Sequence, residues 1–186
     1  MSTMTAAQSR TRTYDMVYIA VFAGLMAICS WISIPTTVPF TMQTFAVFAA
    51  VGILGGRRGT LAILVYLLLG AVGLPVFAGF SGGMGSIVGS PSGGYLLGFL
   101  FSGLVMWGME KLWGRKTLVL LASMIVGLIV CYLFGTAWFM VVYTSKSGSV
   151  GLMAVLGWCV FPFIVPDLAK IALAMLLTKR VGRYVQ

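Results

Sequence analysis

Apolar stretches, most of them of membrane-spanning length, run through nearly the whole sequence. They cover about residues 14–34, 41–55, 59–77, 95–113, 117–142 and 162–178, and a seventh, over residues 152–161, is too short to cross. A helix needs about 20 apolar residues to span the hydrocarbon core of a bilayer. Only 8% of the residues are charged, against about 25% in soluble domains. We therefore expect an all-α integral membrane protein, a bundle of six transmembrane helices.

The basic residues predict the orientation of this bundle. With six crossings and a cytoplasmic N-terminus, Lys146 lies outside, and ten of the twelve basic residues lie on the cytoplasmic side: Arg10, Arg12, Arg57, Arg58, Lys111, Arg115, Lys116, Lys179, Arg180 and Arg183. Cytoplasmic loops of membrane proteins carry this excess of lysine and arginine. Both termini are thus expected in the cytoplasm, with residues 1–13 as a cytoplasmic segment and residues 14–186 as one membrane domain. The net charge of +9 then reflects topology, and nucleic acid is not an expected partner.

A carboxylate and an ammonium group stand inside the last apolar stretch. Asp167 and Lys170 are three residues apart, a spacing that puts two side chains on one face of a helix. A charge at the centre of a membrane helix costs about 2.5–3.5 kcal/mol on insertion scales, and such residues usually mark function. The pair predicts a polar ligand site inside the bundle; the alternative is an internal salt bridge that only neutralises itself. Because proline suits the first turn of a helix, we expect this helix to begin between Pro162 and Pro166, with Asp167 at the positive end of its dipole.

Glycine and serine dominate residues 78–94, AGFSGGMGSIVGSPSGG, where no helical periodicity is visible. The segment is too apolar for an ordinary solvated loop, and irregular backbone at membrane depth is tolerated where it lines a cavity. We interpret it as an outer loop that forms a lid or wall of the site. Phe80, Gly83 and Tyr95 are its candidate ligand contacts. The alternative is a flexible surface linker.

Two alanines of the first apolar stretch, Ala23 and Ala27, form a face of small residues. Such a face allows close contact between helices in lipid. The contact is either with a partner protein or with another helix of the same bundle, and the spacing alone favours neither.

The sequence lacks two common catalytic features. The sequence contains no GxxxxGK[ST] phosphate-binding loop and no histidine, so neither ATP hydrolysis by that loop nor a histidine base is available. Cys29, Cys131 and Cys159 stand singly in distant apolar stretches, a spacing that fits neither a disulfide framework nor a zinc site. We therefore expect no enzyme, no cofactor and no metal.

Four motifs carry a resemblance to a known family. They are VPFTMQT over residues 38–44, GLPVFAGFSGG over 73–83, GGYLLGF over 93–99 and PFIVPDLAKI over 162–171. Together they closely resemble BioY, the biotin-specific substrate-binding (S) subunit of energy-coupling-factor (ECF) transporters. The resemblance implies a six-helix protein of a bacterial or archaeal plasma membrane that binds biotin from the outside. It also implies three partner subunits, a transmembrane coupling protein and two cytoplasmic ATPases.

The resemblance further implies roles for single residues. Those implied to contact biotin or to lie near it are Asp167, Lys170, Thr41, Gln43, Gly93, Gly94 and Tyr95. Ser92 stands where the family usually has threonine, which keeps the hydroxyl and removes a methyl group. The Ala23 and Ala27 face resembles the surface by which S subunits dock on the coupling protein. Lys170 is left with two possible partners, the urea ring of biotin or its carboxylate tail.

Two other functions stay open. A self-sufficient secondary carrier for biotin or a similar small polar molecule would transport its substrate without partner subunits. A membrane enzyme acting on a lipid or an amide would turn over its bound ligand.

Overall fold

The computed structural model describes residues 2–36, 38–148 and 150–185. The side chains of residues 2–11, 146 and 147 lie outside this description. Eight α-helices account for most of the described chain. The helices are α1 (Ser2–Trp31), α2 (Gln43–Leu54), α3 (Gly56–Ala71), α4 (Met84–Val88), α5 (Gly93–Trp113), α6 (Thr117–Ser147), α7 (Leu152–Cys159) and α8 (Phe161–Val185). Two short antiparallel strands, β1 (Ser33–Ile34) and β2 (Phe40–Thr41), join α1 to α2. The all-α fold class is thereby confirmed. Met1, Thr37, Ser149, Gln186 and the side chains of Arg10 and Lys146, all in predicted polar segments, lie outside the described residues.

Three stretches of the described chain are long and apolar enough to cross a membrane: Arg12–Trp31, Thr117–Ser145 and Leu152–Val185. The apolar helix α2 has only 12 residues, about 18 Å at 1.5 Å per residue, and is shorter than the roughly 30 Å hydrocarbon core. The count of six crossings and the cytoplasmic position of the termini therefore stay predictions.

Several predicted boundaries differ from the structure. The expected N-terminal segment, residues 1–13, is part of α1 from Ser2 onward, and the apolar run predicted to continue to Ile34 leaves the helix at Trp31 to form β1. The glycine-rich segment contains a short 3₁₀ turn, Ala78–Phe80, and the helix α4, so the expectation of no helix there was wrong. Its glycines and serines lower helix propensity, yet one turn packs against α5.

The last helix also begins earlier than predicted. α8 starts at Phe161, and Pro166 lies inside it. Asp167 is thus in the second turn, whereas the helix dipole acts mainly on the first. The prediction that the dipole holds Asp167 was wrong, and other groups must stabilise its charge.

Helices α2 and α3 meet at a break that two charged side chains cap. Gly55, with a φ of 90°, ends α2 and precedes α3, a left-handed conformation that favours glycine. Glu110 Oε2 accepts a hydrogen bond from the Gly56 amide at 2.7 Å, while Arg115 donates to the carbonyl oxygens of Gly52 and Ile53. The acidic group therefore lies at the positive end of α3 and the basic group at the negative end of α2.

Glycines allow α5 and α6 to pack closely. A side chain at Gly94 would collide with Trp138, and one at Gly135 would collide with the ring of Tyr95. Because each helix lacks side-chain volume where the other carries an aromatic ring, the two axes can approach one another. The packing of α5 on α6 therefore fixes the position of Tyr95, which lies on α5.

The small face of α1 is turned into the bundle. Ala23 is 1% exposed and Ala27 7% exposed, and α1 packs against α2 and α3. The prediction that these alanines dock a partner protein was wrong, because helices of the same chain already cover both. Ala20 and Gly24 of the same helix are exposed.

Candidate functional site

A cavity of about 240 Å³ opens between α2, α5, α6 and α8, under the segment that joins α3 to α5. Its volume is slightly below the usual range for ligand pockets, roughly 300–1,000 Å³, and suits a small molecule. Apolar side chains form much of the wall. The polar lining groups include five predicted site residues, Thr41, Gln43, Tyr95, Asp167 and Lys170, together with Thr44, Tyr132 and four serines.

Asp167 and Lys170 form a buried ion pair on one wall. The Lys170 Nζ atom lies 2.7 Å from Asp167 Oδ1. Lys170 is 5% exposed and Asp167 is 3% exposed. Nζ also donates to the backbone carbonyl of Thr41 at 2.7 Å. The hydroxyl of Tyr132, on α6, donates to Asp167 Oδ2 at 2.6 Å. Both carboxylate oxygens thus accept a hydrogen bond from the protein, which compensates part of the cost of burying the charge.

The strand β2 covers the ammonium group. The Lys170 Nζ atom lies 4.0 Å from the centre of the Phe40 ring, a distance at which a cation is attracted to the face of an aromatic ring. Phe40 in turn packs against Phe163 of α8, with ring centroids 5.8 Å apart. Lys170 therefore holds the short hairpin between α1 and α2 against α8, through Phe40 and the carbonyl of Thr41.

Gln43 lies at the start of α2 and belongs to a second polar group. Its Nε2 atom donates to the Tyr66 hydroxyl at 2.7 Å, and that hydroxyl donates to the carbonyl of Val76 at 3.0 Å. Ser30, on α1, donates to the same carbonyl at 2.6 Å. Gln43 still has a second N–H and a carbonyl oxygen on the cavity wall.

The glycine-rich segment forms one wall of the cavity through its serines. Ser81, Ser86, Ser90 and Ser92 line it, and the carbonyl of Ser90 accepts a hydrogen bond from the Trp138 indole at 3.3 Å. Just before the segment begins, the Trp31 indole donates to the carbonyl of Pro75 at 2.9 Å. The segment and the residues that lead into it are therefore both fixed to long helices, which argues against a flexible linker.

Three predicted contacts in this region are not part of the cavity lining. Phe80 is 64% exposed and stacks on Trp31, with ring centroids 5.0 Å apart. Gly83 has a φ of 86° and precedes α4, so it serves the turn of the chain. Gly94 lies against Trp138 in the packing of α5 on α6. Phe80, Gly83 and Gly94 thus lie outside the lining of this cavity, and their contacts with a ligand stay predictions.

Tyr95 is 9% exposed and lines the cavity. Its hydroxyl lies 3.3 Å from that of Thr136, and its backbone carbonyl is near the Cys131 thiol at 3.7 Å. The ring thus offers an apolar surface while its polar end is satisfied by α6.

Sequence reasoning missed two tyrosines of the site, Tyr66 and Tyr132. Each lies in an apolar run, where a tyrosine resembles any other large apolar residue. Their partners, Gln43 and Asp167, are distant in the chain. A useful signal is the chemistry of the partners, because a buried amide and a buried carboxylate both need hydrogen-bond partners from other helices.

Comparison with known proteins gives consistent matches over most of the chain. The model of the BioY family matches residues 2–186. The biotin transporter BioY of Thermotoga maritima is 40% identical over 172 residues, 91% of this chain and 96% of that protein. The probable biotin transporter BioY of Pyrococcus horikoshii is 39% identical, over 89% of this chain and 94% of that protein.

One solved structure is also similar along most of its length. It is the crystal structure of the S-component for biotin from an ECF-type ABC transporter, with a TM-score of 0.82 and 26% identity. The match covers 94% of this chain and 93% of that one.

Proposed function

Because this chain belongs to the BioY family, we propose that it is the biotin-binding membrane subunit of an ECF-type vitamin uptake transporter, energised by ATPase subunits that other proteins supply. The observation that carries the proposal is the buried pair Asp167 and Lys170 on the wall of a small, mostly apolar cavity. The proposal is supported by relatives named as transporters, not as enzymes.

The chemistry of biotin suits this wall. Its cyclic urea carries two N–H donors and one carbonyl acceptor, and its thioether ring is apolar. Asp167 already accepts one hydrogen bond at each oxygen, but a carboxylate has about four lone-pair sites. Lys170 has three N–H groups, of which two are used. The pair can therefore accept from the urea and donate to it at the same time, each time with a charged partner.

The balance of charge favours the urea end of biotin at this pair. The ammonium of Lys170 is neutralised by Asp167 at 2.7 Å. A carboxylate tail in the same place would bring a second negative charge next to Asp167 and leave a net negative charge buried, which is costly. The urea is neutral and adds no charge. We therefore assign the urea ring to Asp167 and Lys170, and the tail to the part of the cavity lined by serines.

The partner proteins follow from the same proposal. We propose a transmembrane coupling protein and two cytoplasmic ATPases, and a plasma membrane location with several crossings. The similarity to an S-component of an ECF-type transporter supports this assembly. Ala23 and Ala27 are not part of the docking surface, because both are buried inside the chain.

The test is to identify the small molecules that copurify with the protein. Protein purified in detergent from cells grown with biotin should release one biotin per chain on denaturation, detected by mass spectrometry. Asp167→Asn, purified in parallel, should release much less. Ligand-free protein should then bind biotin in a calorimeter. Absence of biotin in both measurements would refute the proposal.

A further experiment distinguishes the proposal from a self-sufficient carrier. The protein alone, reconstituted in liposomes, should bind biotin without accumulating it in the lumen. Uptake that requires neither ATP nor partner subunits would support the carrier and contradict the ATPase-energised transporter.

A further inference from the structure

Tyr132 connects two helices at the centre of the site. It lies on α6, and its hydroxyl donates to Asp167 Oδ2 of α8 at 2.6 Å. Along the rest of their length α6 and α8 are largely separate, and α7 packs against both. This hydrogen bond is thus a polar link across a part of the bundle where the two helices have little direct packing.

The two donors to Asp167 act on different oxygens. Lys170 Nζ takes Oδ1 and Tyr132 takes Oδ2. The terminal torsion of an aspartate is broad, with two equivalent orientations of the carboxylate. A carboxylate bound at one oxygen only can rotate about that torsion. A carboxylate bound at both oxygens by groups on one helix and on another is held in one plane.

We propose that Tyr132 is a positioning residue for biotin, which acts through Asp167 by fixing the plane of its carboxylate. This inference rests on the proposed biotin site. With the plane fixed, the lone pairs of Asp167 that the protein leaves free have one direction relative to the urea. Biotin then need not order the carboxylate when it binds, and this pre-organisation improves its affinity.

A purely structural role would also explain a buried tyrosine hydroxyl, because such hydroxyls usually find a partner. The two roles differ in their dependence on Asp167. A positioning residue that acts through the carboxylate has nothing to position once Asp167 is replaced. A structural residue continues to support the fold in either background, and its effect then adds to that of Asp167.

The experiment is a double-mutant cycle on biotin affinity. Tyr132→Phe removes the hydroxyl and keeps the ring, and Asp167→Asn removes the charge. Tyr143→Phe is the matched control, since Tyr143 lies on the same helix and packs on Phe139, with ring centroids 5.1 Å apart. Equilibrium dialysis with labelled biotin measures dissociation constants for the wild type, the three single variants and Tyr132→Phe combined with Asp167→Asn.

We expect Tyr132→Phe to weaken biotin binding about tenfold, because the lost hydrogen bond is one to a charged group. In the Asp167→Asn background the same change should have less than about a twofold effect, and Tyr143→Phe should have little effect. An equal loss in both backgrounds, or no loss in the wild-type background, overturns the inference.

A second measurement needs no ligand. The infrared carboxylate band of Asp167, isolated as the difference between wild type and Asp167→Asn, should shift in Tyr132→Phe. If Asp167→Asn binds too weakly for a dissociation constant, an unshifted band overturns the inference and a shifted band supports it. If the wild type binds no biotin, the proposed function fails and the positioning role fails with it, whereas normal binding by Tyr132→Phe refutes the positioning role alone.

Discussion

Replacement of Lys170 by methionine tests whether the ion pair is part of the ligand site. Methionine keeps an unbranched apolar side chain and loses the ammonium group. Three interactions disappear together: the ion pair with Asp167 at 2.7 Å, the hydrogen bond to the Thr41 carbonyl at 2.7 Å, and the contact with the Phe40 ring at 4.0 Å. Of the two described hydrogen bonds to the Asp167 carboxylate, only the one from the Tyr132 hydroxyl then remains.

The expected magnitude follows from the burial of both groups. Lys170 is 5% exposed and Asp167 3% exposed, and removal of one partner of a buried ion pair costs about 3–5 kcal/mol. In the ligand-free protein, water in the cavity relieves part of this cost. When biotin displaces that water, this part of the free-energy cost of the unpaired carboxylate returns and opposes binding. If about 3 kcal/mol appears on binding, the affinity for biotin falls on the order of 100-fold.

Calorimetry in detergent measures this loss. Lys111→Met is the matched control, because Lys111 lies near the end of α5, outside the lining of the cavity, and should bind biotin like the wild type. Thermal unfolding of ligand-free Lys170→Met shows whether the variant is folded. A folded variant with an affinity within about threefold of the wild type would refute the reasoning, because the ammonium would then contribute less than about 1 kcal/mol.

Two further predictions concern the wall of the cavity and the face of α1. A cysteine at Ser86, which lines the cavity, should be protected by biotin from an impermeant thiol reagent. A cysteine at Val88, which is 52% exposed, should react equally with and without biotin. If biotin does not change the labelling of the cysteine at Ser86 either, the glycine-rich segment does not cover the bound ligand. Ala23→Leu should lower the unfolding temperature, since overpacking a buried site costs about 1–3 kcal/mol. Ala20→Leu, at an exposed position of the same helix, should have little effect. Similar stability of the two variants would contradict the inward orientation of Ala23.

The polar half of the site was predictable because its residues are rare in apolar runs. Asp167, Lys170 and Gln43 are groups that lipid disfavours, so their presence indicates a site. All three line the cavity. Their partners were not predictable in the same way, because tyrosine occurs in membrane helices for several reasons, including packing. The hydrogen bond between Tyr132 and Asp167 depends on the relative rotation of α6 and α8, which is a property of the packed bundle.

The positions of the Ala23 and Phe80 side chains could not be predicted from the sequence, for related reasons. Small residues at a spacing of four predict close contact between helices but do not specify the partner helix, and here α2 and α3 lie next to α1. The sequence predicts Phe80 as an apolar contact for a ligand, but its side chain lies outside the cavity lining. Its neighbour in space, Trp31, comes from the end of α1, and that encounter depends on how the hairpin after α1 turns.

The break between α2 and α3 favours one order of the two charged residues, Glu110 and Arg115, at the turn between α5 and α6. Glu110 serves the amide end of α3 and Arg115 the carbonyl end of α2, while their side chains are 3.9 Å apart. An exchange of the two residues would keep an attraction between them, but each charge would then face the helix end of its own sign. The exchange should therefore destabilise the break between α2 and α3, by about 0.3–1 kcal/mol for each charge at a helix end, although the ion pair between the two residues would be kept.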